Sequence, residues 1–246
     1  MIDITGAVRR CIEDYSMVQP GETVAVGVSG GKDSLSLLCA LAELSRYMPQ
    51  NFRVHAVTMS MGFEDMDFSE VSALCRDLDV PYTIKNTNVK QVIFDDRKEK
   101  NPCALCAKMR RGVLHRTLNE LGIKKIALGH HYDDAVETFL LSLFYEGRIS
   151  CFQPVTYLSR SEIYQIRPML YVSEKDIIAY SNRKNLPVVH NPCPMDGASK
   201  RQDIKELVAS LGTTYPDLKS KVFGAMQRYP LTGWEKGTSP IYTAEK

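Results

Sequence analysis

No apolar run in these 246 residues approaches the length needed to cross a bilayer, and the N-terminus has no charged-then-apolar leader pattern. A cytoplasmic protein with no membrane partner is expected. Charge of either sign is hardly in excess: 31 Lys and Arg against 29 Asp and Glu leave +2, too little for the total alone to indicate nucleic acid. The seven cysteines are an odd number and cannot all pair, and cytosolic thiols stay reduced, which argues against a disulfide framework. Internal repeats, low-complexity tracts and linker-like stretches are also lacking. What is present is an ordinary globular composition, 44% hydrophobic, enough for a sizeable core in one α/β domain or two small ones.

Apolar runs and amphipathic stretches alternate along the chain. Strands are predicted at 23–28, 54–58, 82–85, 125–128 and 163–166. Helices are predicted at 35–44, 67–78, 104–121, 134–145, 173–184, 200–211 and 217–228. That rhythm predicts an α/β fold with a parallel sheet. The simplest organisation is a single domain over 1–246, with an N-terminal helical segment (1–20) and a helical C-terminal extension (199–246). Residues 86–102 have no clear period and read as a long loop or partly helical excursion. Open α/β sheets gather ligands at the carboxyl ends of their strands, which would place residues 29–34, 58–61 and 129–134 around one crevice.

Ser29-Gly30-Gly31-Lys32-Asp33-Ser34 follows the apolar run Val24-Ala25-Val26-Gly27-Val28 and opens a helix. Adjacent glycines let backbone N–H groups approach an anion, Lys32 adds a point charge, and the helix adds the positive end of its dipole. Nucleotide phosphate is the natural guest; a ligand-free glycine turn is the plain alternative. The spacing is one residue shorter than in a P-loop, and Asp33 stands where Ser or Thr would bind magnesium. A carboxylate there repels phosphate unless a divalent cation lies between them, which assigns Asp33 to Mg2+. A second motif, Gly129-His130-His131-Tyr132-Asp133-Asp134, also joins a strand to a helix. Its acids either cap that helix or help hold Mg2+ near a leaving pyrophosphate. His130 and His131 are adjacent, cannot share a helix face, and read more simply as structural.

Cys11, Cys39 and Cys75 sit among apolar neighbours and read as core, while Cys151 is isolated. Cys103 and Cys106 are three apart at a helix start, on one face and near the end that favours thiolates. Cys193, in His190-Asn191-Pro192-Cys193-Pro194, lies on a rigid non-helical loop. A metal site, a redox couple and a persulfide relay all fit these thiols, and His190 or His115 could complete a zinc site. Arg97, Lys98, Lys100, Lys108, Arg110, Arg111, Arg116, Lys200, Arg201 and Lys205 flank the cysteines. Singly each is a solvated charge; grouped, they favour RNA phosphates, with Arg110, Arg111 and Arg201 alternatively facing ATP or a cluster.

The first motif resembles the SGGxDS signature of the PP-loop ATP pyrophosphatases. The second, GHHYDDAVET, resembles the GHxxDDxxET segment of their tRNA-modifying branch, which includes 2-thiocytidine synthases and lysidine synthetases. The run from Cys103 to Gly112 resembles the CxxCxxxRRG segment of the 2-thiocytidine-type tRNA thiolases, and the resemblance spans 23 to about 207. It implies a Rossmann-like PP-loop domain with ATP and Mg2+ as cofactors. ATP would be bound by Ser29, Gly30, Gly31, Lys32, Asp33, Ser34, Thr58, Met59 and Gly129, with Lys32, Asp33, Asp133 and Asp134 catalytic. It further implies a [4Fe-4S] cluster on Cys103, Cys106 and Cys193, and tRNA contacts from Arg110, Arg111, Lys200 and Arg201. The expected reaction adenylylates a base carbonyl, C2 of cytidine 32, and then displaces AMP with sulfur from a cysteine desulfurase or sulfide. Relatives often carry Cys-x-x-Cys in the late loop, whereas here Asp196 follows Cys193 at that spacing, which suits a cluster with three protein ligands. A homodimer or partner subunit would supply the RNA surface that a separate domain provides elsewhere. The alternatives are an adenylylating ligase of the lysidine-synthetase type and a non-enzymatic Fe–S nucleotide sensor.

Overall fold

The computed structural model describes residues 3–63, 66–97, 102–195 and 200–237. Lys98, Lys100 and Asp196 lie outside the described residues, as does the end of the C-terminal extension, 238–246. Six strands form one sheet in the order β3-β2-β1-β4-β6-β5: β1 (Thr23–Gly27), β2 (Arg53–Ser60), β3 (Tyr82–Asn86), β4 (Lys125–Ala127), β5 (Val155–Leu158) and β6 (Ile163–Ile166). Every neighbouring pair is parallel except β5 with β6, so the expected α/β parallel-sheet class holds. The antiparallel edge strand β5 is the element not foreseen. It has four residues, with Thr156 half-buried and Tyr157 exposed, and carries no apolar run.

The helices are α1 (Ile4–Asp14), α2 (Lys32–Leu44), α3 (Ser69–Asp77), α4 (Pro102–Glu120), α5 (Tyr132–Glu146), α6 (Glu174–Arg183), α7 (Lys200–Thr214) and α8 (Leu218–Arg228). The unpatterned excursion before α4 contains a short π-helix, Gln91–Asp96. Strand alternation builds a core on each face of the sheet. Val24 and Val26 of β1, Ala127 of β4 and Ile166 of β6 join the larger cluster with α1, α2 and α5. Ala25 and Ile126, neighbours of these in sequence, and Ile163 at the start of β6 join a smaller cluster with Leu118 of α4. Cys11, Cys39 and Cys75 are buried core residues, as expected.

From β1 the sheet grows to β2 on one side and to β4 on the other, so the crossovers diverge there. The carboxyl ends of β1 and β4 therefore leave a crevice between them, and the two motifs are the turns that leave those ends. Beyond α6 the chain returns: α7 and α8 both pack against α5 and bring C-terminal residues back to the crevice.

Candidate functional site

The glycine loop is shaped by its own serines. Ser34 Oγ accepts the Ser29 N–H at 3.1 Å and donates to Gly31 O at 2.9 Å, while Ser29 Oγ accepts the Gly31 N–H at 3.3 Å. Gly31 is the N-cap of α2 and offers no side-chain cap, so the amides of the first turn are left for an external anion. Gly30 holds φ at +89°, and a Cβ there would meet the Val189 side chain at 2.8 Å, so only glycine fits. Val189, from the loop after α6, donates its N–H to Gly30 O at 2.9 Å. Gly129 has a packing reason of its own: a Cβ would come within 3.2 Å of the Asp33 and Ser34 backbone, so the two motifs touch back to back.

Lys32 Nζ lies 3.1 Å from Asp33 Oδ1 and 3.3 Å from Glu174 Oε1, and these carboxylates outweigh burial to raise its pKa. Asp33 Oδ1 is buried, lacks an aligned hydrogen bond, and sits 4.0 Å from His131 Nε2. A buried carboxylate oxygen with an ammonium neighbour but no aligned hydrogen bond, beside the phosphate-binding turn, suits a hard cation such as Mg2+.

Four residues expected at the nucleotide or magnesium have partners within the protein. Asp133 is buried with both oxygens engaged: Oδ2 accepts the Glu174 N–H at 2.7 Å and Oδ1 accepts Lys219 Nζ at 2.6 Å. Asp134 closes a capping box with His131, its Oδ2 accepting the His131 N–H at 2.9 Å, while Oδ1 accepts Arg201 at 2.6 Å. Both acids thus serve the helix ends and the docking of α7 and α8, while Asp33 and Glu174 are the carboxylates beside Lys32. Thr58 is fully buried, donating to Val28 O and accepting from Tyr82, so its side chain supports the loop from beneath. Met59 packs against the smaller core cluster.

The three predicted cysteines come together. Cys103, Cys106 and Cys193 line one cavity of about 220 Å³, walled by Met61, Phe63 and Phe94, with Lys90 and Arg110 at its edge. Asn191 Oδ1 accepts the Cys193 N–H at 3.2 Å and fixes that turn. Among the described residues no three His, Cys, Asp or Glu side chains are closed around a single ion. The thiols face a cavity instead, which fits an iron–sulfur cluster, larger than one ion; among the described residues neither His115 nor His190 lines it, which leaves the zinc alternative without either of its expected histidines. The thiolate expected at the helix start is not favoured at Cys106: burial pushes its thiol up, opposed by Arg110.

The basic residues divide. Arg97, Lys108, Arg110, Arg111 and Arg116 are exposed, most of them along α4. Arg201 is tied to Asp134 and Glu137, and Lys200 lies over the Tyr145 ring at 4.9 Å. Lys205 and Lys219 reach the crevice and pair with Glu174 and Asp133. The role of Glu174 was not foreseen; its position after an N-capping Ser173 was the available signal.

A strand running into this two-glycine turn, backed by a capped second turn, defines a nucleotide-binding protein of the PP-loop class, and a family model described as a PP-loop domain matches residues 5–211. The tRNA-cytidine(32) 2-sulfurtransferase of Syntrophotalea carbinolica is 37% identical over 88% of this chain and 85% of its own length. That of Geobacter sulfurreducens is 34% identical over 91% and 88%. The solved U34-tRNA thiolase NcsA from Methanococcus maripaludis, with its [4Fe-4S] cluster, shares the fold with a TM-score of 0.73 at 23% identity, over 92% of this chain and 78% of that one. Within the PP-loop class the chain belongs to the tRNA-cytidine(32) 2-sulfurtransferase family.

Proposed function

We propose that this protein is a cytoplasmic ATP-dependent tRNA sulfurtransferase that replaces the C2 oxygen of cytidine 32 with sulfur. The observation that carries this reading is the cavity lined by Cys103, Cys106 and Cys193, reached from the phosphate-binding turn through the short link from Val189 to Cys193. The α2 amides and Lys32 bind the β- and γ-phosphates, and Asp33 holds Mg2+ against them. The cytidine C2 oxygen attacks the α-phosphorus, pyrophosphate leaves, and the oxygen, now esterified to AMP, becomes a leaving group. Hydrosulfide then adds to C2 and AMP departs with the oxygen, a substitution without net redox change. Cys103, Cys106 and Cys193 would hold a [4Fe-4S] cluster, which when bound would supply an iron able to present hydrosulfide. Arg110, at the cavity edge, and the exposed Arg111 contact tRNA phosphate; a second copy or a partner would extend that surface. The sulfur comes from sulfide or a cysteine desulfurase. The helices after residue 199 are part of the same catalytic unit, since Arg201, Lys205 and Lys219 all pair at the crevice.

Anaerobically reconstituted protein given ATP, Mg2+, sulfide and unmodified tRNA should yield 2-thiocytidine at position 32 by nucleoside mass spectrometry. Cys193→Ser should lose cluster absorbance and sulfur transfer while still binding ATP. No sulfur in any tRNA would sink the proposal, and tRNA-dependent AMP release without sulfur incorporation, unchanged in Cys193→Ser, would favour an amine-using ligase.

A further inference from the structure

Resting on the ATP reading above, we propose that Lys205 is a second pyrophosphate-binding cation of the nucleotide site, and that Glu174 positions Lys205 beside Lys32 until phosphate takes the place of its carboxylate. Glu174 opens α6, and its own N–H is fixed on Asp133 Oδ2 at 2.7 Å, which seats it against the second motif. Its Oε1 accepts Lys32 Nζ at 3.3 Å and Lys205 Nζ at 3.0 Å, and its Oε2 accepts Lys205 Nζ at 2.8 Å. Two lysines from distant parts of the chain thus converge on one anion at the mouth of the phosphate-binding turn. A carboxylate held between two ammonium groups there occupies the kind of position a phosphate oxygen takes.

The charges support the exchange. Once Mg2+ engages Asp33, Lys32 and Lys205 share Glu174 as their hydrogen-bonded carboxylate; Lys205 also feels Glu137 and Asp133, but these are paired with Arg201 and Lys219, so the two ammonium groups are left for the nucleotide. Although Glu174 is partly buried, the hydrogen bond from Lys205 and the charge of Lys32 draw it down to about 2, so it competes as a full anion at neutral pH. Arg201, one turn earlier on α7, is held instead by Asp134 and Glu137, which anchors the helix so that Lys205 points into the crevice. A Lys205–Glu174 pair kept only for stability would contribute little at this exposure.

The test is calorimetric titration of Mg2+-pyrophosphate and of AMP into the wild type, Lys205→Met, Lys205→Arg and Glu174→Gln. Lys205→Met should weaken pyrophosphate by about tenfold or more, the loss expected for one charge-assisted hydrogen bond, and leave AMP unchanged. Lys205→Arg should recover most of that loss, and Glu174→Gln, whose amide oxygen can still accept from Lys205 but carries no charge, should tighten pyrophosphate; weaker pyrophosphate binding in Glu174→Gln would overturn the competition between carboxylate and phosphate. Wild-type affinity for pyrophosphate in Lys205→Met, or an equal loss for AMP, would overturn the proposal alone. A wild type that binds neither ligand would overturn the ATP reading and this proposal together.

Discussion

His130 is held neutral by its surroundings. It packs on Phe152 with ring centroids 5.0 Å apart, its Nδ1 has no partner, and burial followed by the nearby Arg167 pushes its pKa down to about 4. The unfolded chain would therefore bind a proton that the folded chain refuses between about pH 6.5 and 4, so stability is full above that window and falls as pH drops through it. At pH 5 the loss should be on the order of 2 kcal/mol, read as the difference between urea unfolding at pH 7 and pH 5. His130→Gln should lack that component, and equal pH dependence in both proteins would contradict it. The histidine was legible in the sequence as structural; its neighbour Arg167 was not, because it arrives from β6, far along the chain. Asp133 and Asp134 make the same point, since a capping acid and a magnesium acid are identical in sequence and only the partners Lys219 and Arg201 separate the two readings.

At the scale of elements, α8 is fastened through Phe223, whose ring lies 4.7 Å from Tyr132 and 5.5 Å from the lone Trp234. Phe223→Ala should cost about 3–5 kcal/mol and lower the urea midpoint, because the space is walled by large rings that cannot collapse into it. A change under 1 kcal/mol would show that α8 docks by its charges alone. Most helices and parallel strands could be read from apolar period, and β6 lies where expected at Ile163–Ile166. The ends were less legible: α2 begins at Lys32 rather than Leu35, because its first turn is polar and functional rather than apolar. The π-helix Gln91–Asp96 has a period that pattern reading does not test, and β5 is an edge strand too short for alternation to show.

For the molecule as a whole, near-neutral net charge conceals an uneven distribution. Only Thr117 and Leu118 of α4 are buried, and Lys108, Arg110, Arg111 and Arg116 all stand exposed on it. Arg111→Glu should weaken tRNA binding at every salt concentration and reduce the slope of log affinity against log salt by roughly one contact, measured by filter binding. An unchanged slope would move the RNA surface off α4. Spacing alone suggested that Cys103 and Cys106 share a face, while Cys193 was tied to them only by the family resemblance; the loop after α6 brings it to their cavity.

That loop also sets a length scale. Val189 is bonded to Gly30, and Cys193 follows only four residues later, so even fully extended chain puts its Cα no more than about 14 Å from that anchor. The number of residues in this tether, rather than their identity, therefore caps the distance over which sulfur must meet the carbon that ATP has activated. A single inserted residue would raise that cap by about 3.5 Å, a slack comparable to the approach distance of a reacting pair of atoms.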